Sequence, residues 1–197
     1  MDKIKLLYID DAPESALERY LDEYTNEDYD IEYDEIIFNP CDGYESLIKN
    51  SKVQASNIIF IDSRLFENRN ATDGKFTGEE FKIILKKYFP FIEVIVITQN
   101  EADPELETLT KYNSSYGKSA NDYYHENLPT YIDRAICNIK KYRRIAEIMK
   151  NNTSWEVVLK EKIINSLQGL GTYDELSKDD IDQLIVAFKE IQEKLDE

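Results

Sequence analysis

Three short apolar runs constrain this chain more than any other feature. Ile4-Lys5-Leu6-Leu7-Tyr8-Ile9, Asn57-Ile58-Ile59-Phe60-Ile61 and Glu93-Val94-Ile95-Val96-Ile97 stop at Asp10-Asp11, Asp62 and Thr98 respectively. Each is too short for a helix and too continuously apolar for a strand with one wet face. Such runs fit parallel strands buried on both sides. The stretches between them carry helical spacing instead. Pro13 opens one, with Leu17, Tyr20, Leu21 and Tyr24 on a single face, and Phe81, Ile84, Leu85 and Tyr88 mark another. Proline is tolerated in a first turn. Residues 31–38 read as a further strand ending at Asn39-Pro40, followed by a short helix near 43–50. A helix near 102–113 and a weak fifth strand near 121–125 complete five β/α units. Alternation of this kind predicts an α/β fold, a doubly wound five-stranded parallel sheet with helices on both faces.

From Pro129 onward the spacing is helical throughout. Ile132, Ala135, Ile136, Ile139, Tyr142, Ile145, Ala146 and Met149 recur every three or four residues. Two amphipathic segments follow, near 154–168 and 178–195, and the second aligns Ile181, Leu184, Ile185, Phe188, Ile191 and Leu195. The expected division is a domain over 1–128 and a long fifth helix with a helical C-terminal extension over 129–197. The apolar stripe is the expected surface for a homodimer or another partner.

Composition narrows the function. Hydrophobic residues make up 42% and charged residues 32%, which supports a packed core. No stretch approaches a membrane span, and the N-terminus lacks the long apolar core of a secretory signal, so a cytoplasmic protein with no membrane partner is expected. Cys41 and Cys137 have neither metal-ligand nor CxxC spacing and read as free thiols. The net charge of −16 argues against nucleic acid as a partner. The last 47 residues hold five lysines, no arginine and eleven acids, net −6. The basic cluster Lys140-Lys141-Tyr142-Arg143-Arg144 lies within a helical pattern and reads as a solvated face.

Ligands of open parallel sheets bind at the carboxyl ends of the strands. If the strands lie side by side, Asp10, Asp11, Asp62 and Thr98 converge there. Acids after strands often serve only as loop starts and caps, but three carboxylates brought together repel. Mg²⁺, a hard cation with oxygen ligands, answers that repulsion. The lone His125 cannot build a zinc site of the usual type, and Asp73-Gly74-Lys75-Phe76-Thr77 lacks the spacing of a phosphate-cradling loop.

These pieces resemble the receiver domains of two-component response regulators, over roughly residues 3–140. The matching residues are Asp10-Asp11 after strand one, Asp62 after strand three, Gly78 opening the next helix, Thr98 ending strand four and Asp122-Tyr123 in strand five. The resemblance implies a flavodoxin-like receiver fold, with Asp10, Asp11 and Asp62 as Mg²⁺ ligands. It implies Asp62 as phosphoacceptor from a histidine kinase or other signalling protein, Thr98 as switch hydroxyl and Tyr123 as switch aromatic. It also implies a signalling role, not an enzyme's. Two departures stand out. The family carries a lysine three residues after the strand-five aromatic, where this chain has Glu126 counting from Tyr123, or Asn127 counting from Tyr124. Lys118 is a candidate substitute. The sixteen positions from Asp62 to Gly78 are longer than usual, and the stretch 66–77 with its surroundings brings Arg64, Arg69 and Lys75 near the acids. The alternatives are a pseudo-receiver that is never phosphorylated, and a Mg²⁺-dependent phosphohydrolase using the same acids.

Overall fold

The computed structural model describes residues 2–39, 42–66, 77–100, 108–151 and 157–168. Five parallel strands form one sheet: β1 (Asp2–Asp10), β2 (Tyr29–Ile37), β3 (Ile58–Asp62), β4 (Glu93–Thr98) and β5 (Thr108–Thr110), in the order β2-β1-β3-β4-β5. This is the flavodoxin-like doubly wound order, in which the chain reverses direction across the sheet between β1 and β3. The helices are α1 (Ser15–Glu23), α2 (Gly43–Ile48), α3 (Ser51–Ala55), α4 (Gly78–Tyr88), α5 (Ala120–Lys150) and α6 (Val157–Gln168).

The three central strands are the apolar runs, and β3 and β4 are buried along their whole length. Alternate residues of each strand face opposite sides. Leu6, Tyr8, Ile58, Phe60, Ile95 and Ile97 therefore pack against α1 and α5. Leu7, Ile9, Ile59, Ile61, Val94 and Val96 pack on the other side, with Leu47, Val53, Phe81 and Leu85. Both faces are covered, which is why these strands show no polar alternation.

One strand and two helices depart from expectation. Residues 121–125 are not a strand; they form the first turns of α5, which begins at Ala120 and runs unbroken through Pro129. Tyr124, Leu128, Ile132, Ala135, Ile136 and Ile139 continue a helical spacing already begun upstream of the proline. The Ser119 side chain caps the helix by accepting from the Asp122 N–H at 3.1 Å. The fifth strand is Thr108-Leu109-Thr110, inside the helix expected near 102–113. The region expected to hold one short helix near 43–50 is followed by a second, α3, capped by Asn50 accepting from the Lys52 N–H.

At 31 residues α5 is about 46 Å long and outruns the sheet. Its last turns meet α6 through Ala146, Met149 and Ile164, a small cluster separate from both sheet faces. The stripe over 178–195 lies outside the described residues. None of the described helices is long and apolar enough to cross a membrane.

Candidate functional site

Strand register assembles the site. Ile9 pairs with Ile61, so Asp10 and Asp62 emerge side by side at the carboxyl edge of β1 and β3. Asp62 pairs with Ile97, and Thr98 pairs with Thr110, which places Lys111 at the same edge. Carboxylate oxygens of Asp10, Asp11 and Asp62 lie within 4.8 Å of one another. Asp10 and Asp62 are buried, 1% and 5% exposed, while Asp11 faces solvent.

Lys111 is the residue that sequence reasoning missed. Its Nζ lies 2.8 Å from Asp10 Oδ2 and 2.7 Å from Asp62 Oδ1. Its backbone N–H donates to the Thr98 carbonyl at 2.6 Å, which fastens the end of β5 to β4. The site therefore has its cation in Lys111, and not in the expected substitute Lys118. Glu126 is exposed on α5 and pairs with Lys118 at the surface. Asn127 donates to the Tyr123 carbonyl within the same helix. The signal for Lys111 was the triplet Thr108-Leu109-Thr110 ended by a lysine, too short to show a period of two.

Each remaining carboxylate oxygen of the buried pair is also engaged. Asp10 Oδ1 accepts from the Ala12 N–H at 2.9 Å, and Asp62 Oδ2 from the Arg64 N–H at 2.8 Å. The Tyr8 hydroxyl donates to Asp10 Oδ2 at 2.6 Å. Burial by itself would raise the Asp10 carboxyl. The bonds from Lys111, Tyr8 and Ala12 outweigh it and hold the group below its ordinary value. Burial likewise works against the Lys111 charge, but Asp10 and Asp62 hold its pKa above the usual lysine range. Asp11 is shifted up, first by partial burial and then by the neighbouring Asp10 charge.

Thr98 is 2% exposed, and its hydroxyl oxygen accepts from the Ser63 hydroxyl at 3.2 Å and the Asn100 N–H at 3.1 Å. It thus sits beside the residue following Asp62. Gly78 begins α4 against the same corner, its N–H donating to the Ser63 carbonyl at 2.7 Å. A Cβ at Gly78 would lie 2.6 Å from the Asp62 carbonyl oxygen and 2.7 Å from Ser63 Cα. Only glycine permits this approach.

Tyr123 is not in a strand. It belongs to α5, its hydroxyl donates to the Thr110 carbonyl at 2.7 Å, and its ring stacks on Tyr116 at 5.2 Å. The residue three before Lys111 is Thr108, buried in β5, so no aromatic occupies the position at which the family carries one. Arg64 is near the acids through its backbone, while its guanidinium turns towards Gln99 at 3.4 Å. Arg69 and Lys75 lie outside the described residues.

No protein-family model and no curated protein matches this sequence. Among the solved structures similar to it are two from bacteria. One is NtrX from Brucella abortus in complex with ADP, with 14% identity over 81% of this chain and 32% of that one, at a TM-score of 0.45. The other is the RcsB response regulator of Salmonella typhimurium, in a structure concerned with conformational dynamism for DNA interaction. It has 15% identity over 87% of this chain and 93% of that one, at a TM-score of 0.41. This chain spans about a third of the NtrX chain. The strand order is that of a flavodoxin-like doubly wound sheet, and Asp10, Asp11, Asp62, Thr98 and Lys111 meet at its carboxyl edge.

Proposed function

We propose that this chain is a phosphorylatable signal receiver in which Asp62 is the phosphoacceptor. The observation that carries the reading is the Lys111 ammonium 2.7 Å from Asp62 Oδ1, at the edge where Asp10, Asp11 and Thr98 also end. The donor set fits Mg²⁺. The three carboxylates and one ammonium leave a formal charge of −2, all ligand atoms are hard oxygens, and the exposed Asp11 offers oxygens to an arriving ion. Bound there, Mg²⁺ would neutralise phosphoryl charge and coordinate its oxygens. Transfer exchanges the donor's bond to phosphorus for a new P–O bond. An Asp62 oxygen attacks the donor's phosphorus, the bond to the leaving atom breaks, and that atom keeps the electron pair; it is an oxygen in acetyl phosphate and an imidazole nitrogen in a phosphohistidine. Lys111 stands where negative charge accumulates, and the Arg64 N–H orients the attacking carboxylate. Thr98, next to Ser63 in the hydrogen-bond pattern, is the hydroxyl placed to meet the new group.

In this reading a histidine kinase or other signalling protein supplies the signal, which passes to a protein partner, and the chain does not itself turn over a substrate. Two observations support a protein over nucleic acid. The C-terminal 47 residues carry net −6. Within the basic cluster of α5, Lys140 pairs with Asp28 at 2.9 Å and Arg143 donates to the Lys3 carbonyl at 2.7 Å, so both side chains are committed to the fold. Ile83 and Tyr88 of α4, 69% and 46% exposed, offer an apolar contact surface.

The pseudo-receiver reading has one observation in its favour, the closed environment of Asp62, whose two oxygens are both already bonded. Incubation with Mg²⁺ and acetyl phosphate, read by intact mass, separates the two. Gain of one phosphoryl group by the wild type and none by Asp62→Asn supports the receiver. Mg²⁺ binding without any mass gain overturns it in favour of the pseudo-receiver.

A further inference from the structure

The site is wired to the first turn of α5 by hydrogen bonds that its chemistry does not require. Tyr8, 1% exposed, donates to Asp10 Oδ2 and accepts from the Glu14 N–H at 3.3 Å. The Glu14 carboxylate accepts from the Tyr124 hydroxyl at 2.6 Å. That hydroxyl in turn accepts from the Tyr112 N–H at 3.2 Å, and Tyr112 is the residue after Lys111. Lys111 closes the loop on Asp10 at 2.8 Å. The path from Lys111 through Asp10, Tyr8, Glu14, Tyr124 and Tyr112 returns to its origin. Tyr124 is fully buried, and burial pushes both phenols far above their ordinary values, so each stays protonated and able to donate to a carboxylate.

We infer that Tyr8, Glu14 and Tyr124 are positioning residues that couple the Asp10–Lys111 pair to the N-terminal turn of α5. Here the path runs through a backbone N–H adjacent to Lys111. A displacement of the ammonium from Asp10 moves Tyr112, and Tyr112 holds the hydroxyl of a residue in the first two turns of α5. Cooperative polarisation along such a chain ties its members more closely than isolated pairs. Because the last turns of α5 pack on α6, a change at the acids reaches the C-terminal appendage along α5.

The test needs neither Mg²⁺ nor a phosphodonor, so its outcome is independent of whether Asp62 is phosphorylated. Amide hydrogen exchange over residues 120–127 is measured in chelator for the wild type, Tyr124→Phe, Asp10→Asn, Lys111→Met and the double variants with Tyr124→Phe. Tyr124→Phe keeps the ring and removes only the hydroxyl. It should speed exchange in that segment by roughly twofold to tenfold, the range one hydrogen bond commands. Asp10→Asn or Lys111→Met should do the same from the other end, while amides of β4 stay unchanged. Each double variant should exchange no faster than its faster parent, because one broken circuit cannot be broken twice. Multiplying effects, an unchanged segment in both Asp10→Asn and Lys111→Met, or an equal rise across the whole sheet overturns the inference. Lys111→Met alone failing to fold leaves the Asp10→Asn arm to decide.

Discussion

Lys111 holds two buried carboxylates apart from each other's repulsion, and removing it exposes that repulsion. Taking one partner from a buried charge cluster costs about 3–5 kcal/mol, because the remaining charges stay desolvated and uncompensated. Lys111→Met should therefore lower the urea midpoint in chelator, and added Mg²⁺ should recover part of the loss while phosphorylation of Asp62 falls at least tenfold. A stability equal to wild type would mean that the ammonium is not the counter-charge. Glu126→Lys, by contrast, should leave the phosphorylation rate within about twofold, since Glu126 sits on the surface of α5 beside Lys118. Glu14 gives a pH test. Burial first, and then the Asp10 charge, raise its carboxyl above 4.5, against the bond from Tyr124 and the Lys111 charge. The folded state therefore holds this proton more tightly than the unfolded chain. That stability is fully present below about pH 4.5 and is lost as pH rises through the folded value. Glu14→Gln should be the more stable protein at pH 7 and indistinguishable from wild type below about pH 4, as followed by urea titration at each pH.

Among the elements, α4 and β5 control the site from opposite sides. Thr77 and Glu80 form a reciprocal capping box at the start of α4, each side chain bonding the other's backbone N–H. Gly78 follows, in contact with the backbone of Asp62 and Ser63. A methyl group there must push β3 and α4 apart, a cost of roughly 1–3 kcal/mol. Gly78→Ala should lower the thermal midpoint and slow phosphorylation together, whereas Thr77→Ala should cost only about 1 kcal/mol of stability. Equal small effects from both would place the glycine contact outside the site's support. β5 shows why one strand escaped a reading by periodicity. Three residues cannot display alternation, and the adjacent Tyr123-Tyr124 pair imitates a strand because aromatics favour pleated surfaces. Their partners at Leu128 and Ile132 belong to the helical spacing, and that longer pattern is the one the fold follows.

For the whole molecule, the sheet domain and the helical appendage are separate packing problems. The sheet buries its two faces with its own helices, while Ala146, Met149 and Ile164 form a cluster beyond it. Ile145 and Ile148 remain 46% and 57% exposed on α5. Burying side chains of this kind is worth about 1.5–3 kcal/mol each, enough for a small set to hold two copies together. Light scattering should give a dimer mass for the full chain and a monomer mass for the Ile145→Ser, Ile148→Ser double variant. A monomer in both forms would assign Ile145 and Ile148 to another role. Duplex DNA should not bind the full chain in a salt-sensitive way, given the net charge of −16.

What the amino-acid sequence determined by itself was whatever is written in local pattern. Continuous apolar runs dictated buried parallel strands, and the polar residues that end them marked Asp10, Asp11, Asp62 and Thr98. The resemblance these residues carry also implied a flavodoxin-like parallel sheet. Tertiary structure alone decided which cation faces the acids. Lys111 lies about a hundred residues from Asp10 along the chain and follows a strand of three residues, so nothing local distinguishes it from Lys118. Its role comes from register, since the pairing of Thr98 with Thr110 puts the next side chain at the carboxyl edge. The Tyr8–Glu14–Tyr124 path arises the same way. Its hydrogen bonds join β1, the turn before α1 and the start of α5, and such partners are chosen by packing in space, which a one-dimensional period does not encode.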